Sequence, residues 1–476
     1  MSFLKKTKIV ATLGPSTRDI HTLEEMILAG TNVFRINFSH VTYSVAIMQI
    51  KMIRELDQKH ECHSAILADL QGPKLRIGDI EPNSVVSVGD SVTFYSDKPF
   101  VGNVKKAYLN YPHLAKDVAI GDSILINDGK LIFKVIQTDK KSKIITKTVQ
   151  GGDFESKKGV NLPNTRMTIG ALTSKDIEDA KFIFTQDVDW IALSFVRGAE
   201  DLLALKKLMS DFSEKTFPII SKIEKPQAID NLDKIIELSN GIMVARGDLG
   251  VEIPAAQVPL VQKKLVLLSK KARIPVIIAT QMLENMIDSL TPSRAEVNDV
   301  ANSVFDGADA VMTSGETSVG KHPAKVISMM TSILKTVENA DLIKIHLEQP
   351  KNIQTTRYIT DSICFHAAKI ANAINAKAIC TLTNSGYTAY QISACRPSAY
   401  VLVFTSNKSL LSQLNLLWGV KTFYYEEGTK TDLIVEEVNQ IALEKGYVEK
   451  GDFLVNLTYI PISEKGMVNT MRITTI

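Results

Sequence analysis

The 476-residue sequence predicts an α/β fold: a (β/α)8 TIM barrel, interrupted by an inserted small β-barrel lid domain and followed by a C-terminal α/β domain. Three observations predict it. Short apolar runs alternate with helical patterns over much of the chain, the signature of parallel βα units. The alternation breaks once, between Leu70 and Trp190, where segments are short and rich in β-branched and aromatic residues. A second α/β alternation begins at Asp361.

Eight runs read as barrel strands: Lys8–Gly14, Val33–Ser39, Ser64–Leu70, Trp190–Val196, Pro218–Glu224, Gly241–Asp248, Val276–Met282 and Ala310–Glu316. Helical stretches such as Thr22–Leu28, Ala199–Met209, Ala228–Leu238 and Val258–Ala272 fall between them. Eight βα units close a barrel whose active site lies at the carboxyl ends of the strands. Those ends carry Arg35 and Asn37, Asp69, Arg197, Lys222 and Glu224, Asp248, Thr280, Ser314 and Glu316.

Inside the insertion, Ser84–Val88, Ser91–Tyr95, Ser123–Asn127 and Leu131–Ile136 read as short strands punctuated by the turn clusters Val88–Asp90, Ile120–Asp122 and Asn127–Gly129. Its flanks, Gly72-Pro73 and Leu162-Pro163, read as hinges. A domain inserted at this face can close over a ligand as a lid. The lysines at 140, 141 and 143 read as a solvated hairpin edge. Beyond Glu338, the polar stretch Leu347–Thr356 reads as a connector. Then follow helix Ser362–Asn372, strand Ala378–Leu382, helix Ala389–Cys395, strand Tyr400–Phe404, helix Ser409–Leu416, strand Lys421–Tyr425, helix Thr431–Lys445 and strand Asp452–Leu457, a doubly wound pattern. The expected boundaries are 1–70 with 170–340 for the barrel, 71–169 for the insert and 357–476 for the last domain.

Composition narrows the function classes. A net charge of +3 over the whole chain argues against a nucleic-acid surface, which needs a concentrated basic face. Four cysteines without a Cys-x-x-Cys pair argue against a disulfide framework or zinc site and fit a reducing cytoplasm. The amino terminus lacks the apolar core of a signal peptide, and no run reaches the roughly 18–20 apolar residues of a membrane span.

The chemistry concentrates in Ser221–Glu224 and Ala245–Gly250, each the polar end of a buried run, Phe217–Ile220 and Gly241–Val244. A buried charge costs several kcal/mol unless paired or metal-bound, so Lys222, Glu224 and Asp248 at adjacent strand ends are not packing choices. One lysine, two carboxylates and a glycine-rich backbone point to a magnesium-assisted site for a phosphorylated anion. The bland alternative is a set of structural ion pairs of the two acids with Lys222 or Arg246.

The motifs Thr7–Ser16, Arg35–His40, Asp69–Arg76, Ser221–Glu224, Met243–Glu252, Ala279–Leu283 and Met312–Thr317, in this order, make the chain resemble a pyruvate kinase from end to end. The resemblance implies transfer of the phosphoryl group of phosphoenolpyruvate to ADP, the last step of glycolysis. It also implies a C-terminal regulatory domain, a homotetramer and a cytoplasmic location. Mg2+ (or Mn2+) is implied on Glu224 and Asp248, and a phosphoryl-contacting pair in Lys222 and Arg35. The backbone of Ala245, Arg246 and Gly247 is implied to hold the substrate carboxylate, beside Asp248. Thr280, with Ser314 and Glu316, is implied in the water-linked protonation of the enolate, with local hydrogen bonding as the alternative. Asn37, His40, Arg76 and Lys175 match positions near the nucleotide; His40 can equally be structural, Lys175 a solvated helix-start lysine, and Arg76 an ordinary ion-pair arginine.

Three features depart from the family pattern. Many members hold K+ with the counterparts of Asn37, Ser39, Asp69 and the backbone of Leu70, and carry a glutamate where this chain has Lys74; the lysine implies independence of K+. Val41 replaces a frequent glycine, and Val41–Met48 looks unlike the usual polar helix start. Thr383, Asn384, Ser385, Gly386 and Thr388 resemble an effector-phosphate loop, or form a plain strand-to-helix turn. The stretch Leu457–Gly466 lacks the Trp and Arg of fructose-1,6-bisphosphate-activated relatives, which leaves a different sugar phosphate or no effector.

Overall fold

A computed structural model of the chain describes residues 5–340, 349–350, 355–426, 431–460 and 466–476. All eight predicted runs form strands: Lys8–Thr12, Val33–Asn37, Ala65–Asp69, Trp190–Leu193, Ile219–Ile223, Gly241–Ala245, Val276–Ala279 and Ala310–Thr313. They pair in parallel, each with its sequence neighbours, and the last closes on the first with Lys8 opposite Ala310. Nearly every strand residue is buried, because helices cover the outside while side chains fill the inside. The inner layer includes Val10, Leu67, Trp190, Ile220, Met243, Ile277 and Met312.

The strands end short of the predicted runs because the polar residues that follow leave the ladder. Asp248 lies in the first turn of the helix Arg246–Glu252, and Glu316 lies in the helical turn Gly315–Ser318. The predicted helix Ala228–Leu238 is two pieces, Pro226–Asp230 and Leu232–Leu238, meeting at Asn231. A helix that sequence reading did not assign, Tyr43–Lys59, follows the second strand.

The insert is a curled six-stranded sheet plus a two-stranded ribbon, Val85–Val86 with Gly152–Asp153. Its own core includes Val92, Phe94, Tyr111, Ile124, Phe133 and Phe154. The lysine cluster sits at the turn between Leu131–Thr138 and Lys143–Gln150, where the Asp139 carboxylate accepts the amides of Lys141, Ser142 and Lys143. At the first flank of the insert Gly72 has φ +69°, and a Cβ there would come within 2.8 Å of the Phe195 ring, so glycine is required on both counts.

The C-terminal sheet runs Val420–Tyr424, Tyr400–Thr405, Ala378–Leu382, Phe453–Thr458, all parallel, and ends on an antiparallel edge strand, Thr470–Thr475, that was not predicted. This domain plugs the amino-terminal end of the barrel. Leu416 joins the inner barrel layer, and the indole Nε1 of Trp190 donates to the carbonyl of Gln413 at 3.1 Å. Most of the expected connector and part of the stretch after Leu457 lie outside the described residues. Among the described residues no helix is long and apolar enough to cross a membrane.

Candidate active site

The carboxyl ends of the second to sixth strands bring five charges together. Asp69 ends the third strand, buried, with one oxygen 2.6 Å from Arg35 Nε and the other 3.3 Å from Lys222 Nζ. Lys222 Nζ also donates to Ser194 Oγ at 2.6 Å and lies 3.1 Å from Glu224 Oε1. Glu224 Oε2 accepts the Phe195 amide at 2.6 Å, while Oε1 is buried and accepts no hydrogen bond. Arg35 Nη1 is held by Thr12 Oγ1 at 3.0 Å. Asp248, at the first turn of Arg246–Glu252, lies within electrostatic reach of both Lys222 and Glu224.

The titration of these groups follows from that cage. Burial works against the charged form of Lys222, but Asp69 and Glu224 outweigh it and hold the ammonium above its usual range. Burial pushes the Asp69 carboxyl up, and Lys222 and Arg35 overcome it and keep Asp69 low. Glu224 is pushed up, first by burial and then by Asp248, with Lys222 opposing. The cluster therefore carries a surplus of negative charge around Glu224 and Asp248, at the point where one buried oxygen accepts no hydrogen bond.

On the next strand ends the backbone itself is bent to purpose. Thr280 has φ +71° and Gln281 +55°, and Phe195, whose amide reaches Glu224, has +55°. A β-branched residue at positive φ costs about 1–3 kcal/mol and marks a functional constraint. The bend lets Thr280 Oγ1 donate to the Ala279 carbonyl at 2.6 Å and accept the Gly247 amide at 2.7 Å. A Cβ on Gly247 would meet Thr280 Oγ1 at 3.4 Å, an ordinary contact, so the protein around it does not by itself demand a glycine. Ala245 is the buried residue before that helix. The Arg246 side chain turns away, forming a two-pronged pair with Asp299 at 2.7 Å and donating to the Thr280 carbonyl at 2.6 Å. It thus braces the turn and does not pair Asp248.

Glu316 is buried and accepts the amides of Ser314 and Leu283 at 2.6 and 3.1 Å, tying the last two strand-end loops together. Towards the insert, His40 is exposed, and its imidazole is held below its ordinary value by burial and then by Lys74, Arg76, Arg35 and Lys175. These cations therefore share one field. Arg76 Nη1 donates to the Lys157 carbonyl at 2.8 Å, and Lys175 Nζ to the Phe38 carbonyl at 2.8 Å and to Asp179 at 2.5 Å. Asn37 Oδ1 accepts the Ser39 amide at 3.0 Å, and the Leu70 carbonyl accepts Ser194 Oγ at 2.7 Å. Lys74 is exposed and makes no ion pair among the described residues. Arg197, placed by sequence at a strand end, instead donates to the carbonyls of Met167 and Ile169 and so ties down the returning arm of the insert.

Sequence reasoning missed Ser194, Thr12 and the Phe195 amide. Ser194 sits one residue past a strand end, as Asn37 and Asp69 sit at theirs, and that position was the available signal. The loop 383–388 lies far along the chain in the last domain. Thr383 Oγ1 accepts the Gly386 amide at 3.0 Å and Thr381 donates to Thr388 Oγ1 at 2.9 Å, so two of its hydroxyls face inward while Asn384 and Ser385 are exposed. A cavity of about 1400 Å³ lies at the opposite end of the barrel, lined by Lys5, Asn32, Lys335 and Lys421 among others, and includes none of the residues above.

Comparison with known proteins settles the family. Residues 4–327 match the family model for the pyruvate kinase barrel domain, and residues 361–474 the model for the pyruvate kinase alpha/beta domain. The chain belongs to the pyruvate kinase family. It is 39% identical to a pyruvate kinase of Bacillus licheniformis over 99% of this chain and 80% of that protein. It is likewise 39% identical to the pyruvate kinase of Thermotoga maritima, over 99% of both. A crystal structure of a pyruvate kinase from Cryptosporidium parvum superposes with a TM-score of 0.90 at 31% identity, covering 99% of this chain and 96% of that one. Pyruvate kinases are phosphotransferases, and the caged lysine described above lies at the mouth of the barrel this family shares.

Proposed function

We propose that the strand-end cluster moves the phosphoryl group of phosphoenolpyruvate to ADP, giving pyruvate and ATP, with Lys222 at its centre. The P–O bond to the enol oxygen breaks, a P–O bond to the terminal oxygen of ADP forms, and the enolate takes a proton at carbon. Such a reaction needs fixed positive charge where negative charge spreads, more than covalent help. One observation carries the reading: Lys222, Arg35, Asp69 and Glu224 form a single buried charge network across the ends of the second, third and fifth strands. Isolated surface pairs would not need this burial.

Lys222 and Arg35 supply the positive charge, held at fixed positions by Asp69, Ser194 and Thr12. Glu224 and Asp248 are the residues that would hold Mg2+ (or Mn2+). The fit rests on an all-oxygen donor pair and on Glu224 Oε1, which accepts no hydrogen bond and faces only the Lys222 ammonium at 3.1 Å; two carboxylates suffice when water and substrate complete the shell. Bound there, the ion would act as a Lewis acid on substrate oxygens. The backbone of Ala245, Arg246 and Gly247 would hold the substrate carboxylate, with the Gly247 amide, donated here to Thr280 Oγ1, passing to it. Thr280, together with Ser314 and Glu316, organises the proton delivered to the enolate.

Asn37, His40, Arg76 and Lys175 border the nucleotide. Lys74 supplies the charge that K+ supplies in other members, so Asn37, Ser39, Asp69 and Leu70 shape the site without holding the ion. A sugar phosphate at 383–388, assembly as a homotetramer and a cytoplasmic location belong to the same reading. The insert, residues 71–169, acts as the lid over the barrel of 1–70 and 170–340, and 357–476 as the regulatory domain.

A lactate-dehydrogenase-coupled assay with phosphoenolpyruvate, ADP and Mg2+ tests this. Pyruvate release that falls about 10²–10³-fold in Lys222→Met is the expected result; wild-type protein that releases none overturns it.

A further inference from the structure

The insert touches the barrel at a third place besides its two chain crossings. Asn161, on its short strand Val160–Asn161, donates Nδ2 to Glu252 Oε1 at 2.7 Å. The Glu252 side chain is fully buried and also pairs with the buried Lys225. Its second oxygen accepts no hydrogen bond. A buried carboxylate is costly unless well paired, so the donation from Asn161 matters to it more than a surface hydrogen bond would.

The neighbours of this contact give it meaning. Glu252 is the last residue of the helix Arg246–Glu252, and Asp248 lies one turn earlier on the same side, at i and i+4. Lys225 directly follows Glu224, and its ammonium lies 5.7 Å from the ring of Phe195, whose amide grips Glu224 Oε2. Asn161 is followed immediately by the hinge Leu162-Pro163. One side chain of the insert is thus connected to both carboxylates of the divalent-ion pair, to Asp248 along a helix and to Glu224 through Lys225 and Phe195.

We propose that Asn161, Glu252 and Lys225 form a latch that couples the position of the insert to the placement of Asp248 and Glu224. All three are positioning residues. When the insert sits as in this structure, Glu252 is fixed from two sides and the helix bearing Asp248 is held. When the insert swings at its hinges, Asn161 leaves, Glu252 keeps only Lys225, and the helix loosens. Divalent-ion affinity then falls as the insert opens, and ligand release becomes easier.

The latch rests on the reading of Glu224 and Asp248 as the ion pair, and the test separates the two. Mn2+ binding is measured by electron paramagnetic resonance on the full-length protein with phosphoenolpyruvate present, together with amide hydrogen exchange over 246–252. Asn161→Asp, which sets a carboxylate against Glu252, is expected to weaken Mn2+ binding about tenfold and to speed exchange in that helix. Asn161→Leu, which only removes the donor, is expected to weaken it several-fold, and remains informative if the first variant fails to fold. Lys147→Ala, at an exposed position of the insert, leaves both readouts unchanged. Mn2+ affinity and exchange at wild-type values in both Asn161 variants overturn the latch. Wild-type protein that binds no Mn2+, or an Asp248→Asn variant that binds it as wild type does, overturns the ion-pair reading and the latch with it.

Discussion

Lys222 and Lys8 are both buried on barrel strands, at opposite ends of the barrel, and they ionise in opposite directions. Lys222 sits among Asp69, Glu224 and Ser194, and its ammonium is held above its usual range despite burial. Lys8 is 1% exposed at the floor, where its Nζ donates to the Val420 carbonyl at 2.7 Å and to Asn415 Oδ1 at 3.1 Å, both from the last domain. Burial, then Lys421 and Lys5, push it well below the ordinary lysine range, and Glu338 opposes too weakly. The same residue type, buried in both places, has its ammonium favoured in one and disfavoured in the other. Partners decide this, not depth. The mouth of the barrel favours the charged lysine, whereas the floor, where the last domain docks, disfavours it.

The comparison can be broken most sharply at the mouth. Lys222→Met is expected to lower kcat by about 10²–10³-fold with a smaller change in KM, since it removes a fixed charge aimed at the transition state. Steady-state kinetics with circular dichroism as a folding control check this; near-wild-type kcat would mean that the cage around Lys222 is structural. Next in size is Lys74→Glu. The wild type is expected to be fully active in Na+- and K+-free buffer, and the variant to need K+ many-fold. A wild-type enzyme that K+ activates strongly would remove Lys74 from the charge balance of the site.

At the floor the expected effects are smaller and fall on stability. Lys8→Met is expected to leave kcat unchanged and to shift chemical denaturation by about 1–2 kcal/mol, the worth of two hydrogen bonds partly offset by losing a desolvated amine. A collapse of kcat would show that floor and mouth are coupled. The smallest effect is a pH dependence. Lys5, its pKa lowered to about 7 by burial and by Lys421, binds fewer protons folded than unfolded between about pH 7 and about pH 10.4. Its contribution therefore makes stability rise with pH over that window, and below about pH 7 the full penalty of burying its charged form applies. Thermal midpoints measured from pH 7 to 10 are expected to climb less steeply in Lys5→Met than in wild type; parallel curves would place a charged Lys5 in the folded protein.

The barrel strands were legible because parallel strands covered on both faces must be continuous apolar runs, as Trp190–Leu193 and Gly241–Ala245 are. The helix Tyr43–Lys59 was not, because its first turn looks too apolar for a solvated start. In the structure Tyr43 stacks on Phe182 at 4.1 Å between ring centroids and donates to Asp179 at 2.9 Å, so a neighbouring helix satisfies what local pattern could not. The strand Thr470–Thr475 escaped notice for the opposite reason. It is a largely exposed edge, rich in threonine, with no buried face to impose alternation. Arg197 shows the limit of position as a guide: a strand-end arginine was expected to face a ligand, and it holds the insert's backbone.

By itself the sequence determined the barrel, the insert, the last domain and the residues at each strand end, because burial and periodicity are local demands that each segment must meet alone. Which strand-end groups pair was decided only when the barrel closed. Asp69, Lys222 and Arg35 are separated by up to 187 positions in the chain, and the ionisation of Asp69 and Lys222 depends on distances of about 3 Å that no local pattern encodes. The plugging of the floor by Leu416 and Asn415, and the reach of Asn161 to Glu252, belong to the same class: contacts between separately formed units, fixed by packing and electrostatics across space.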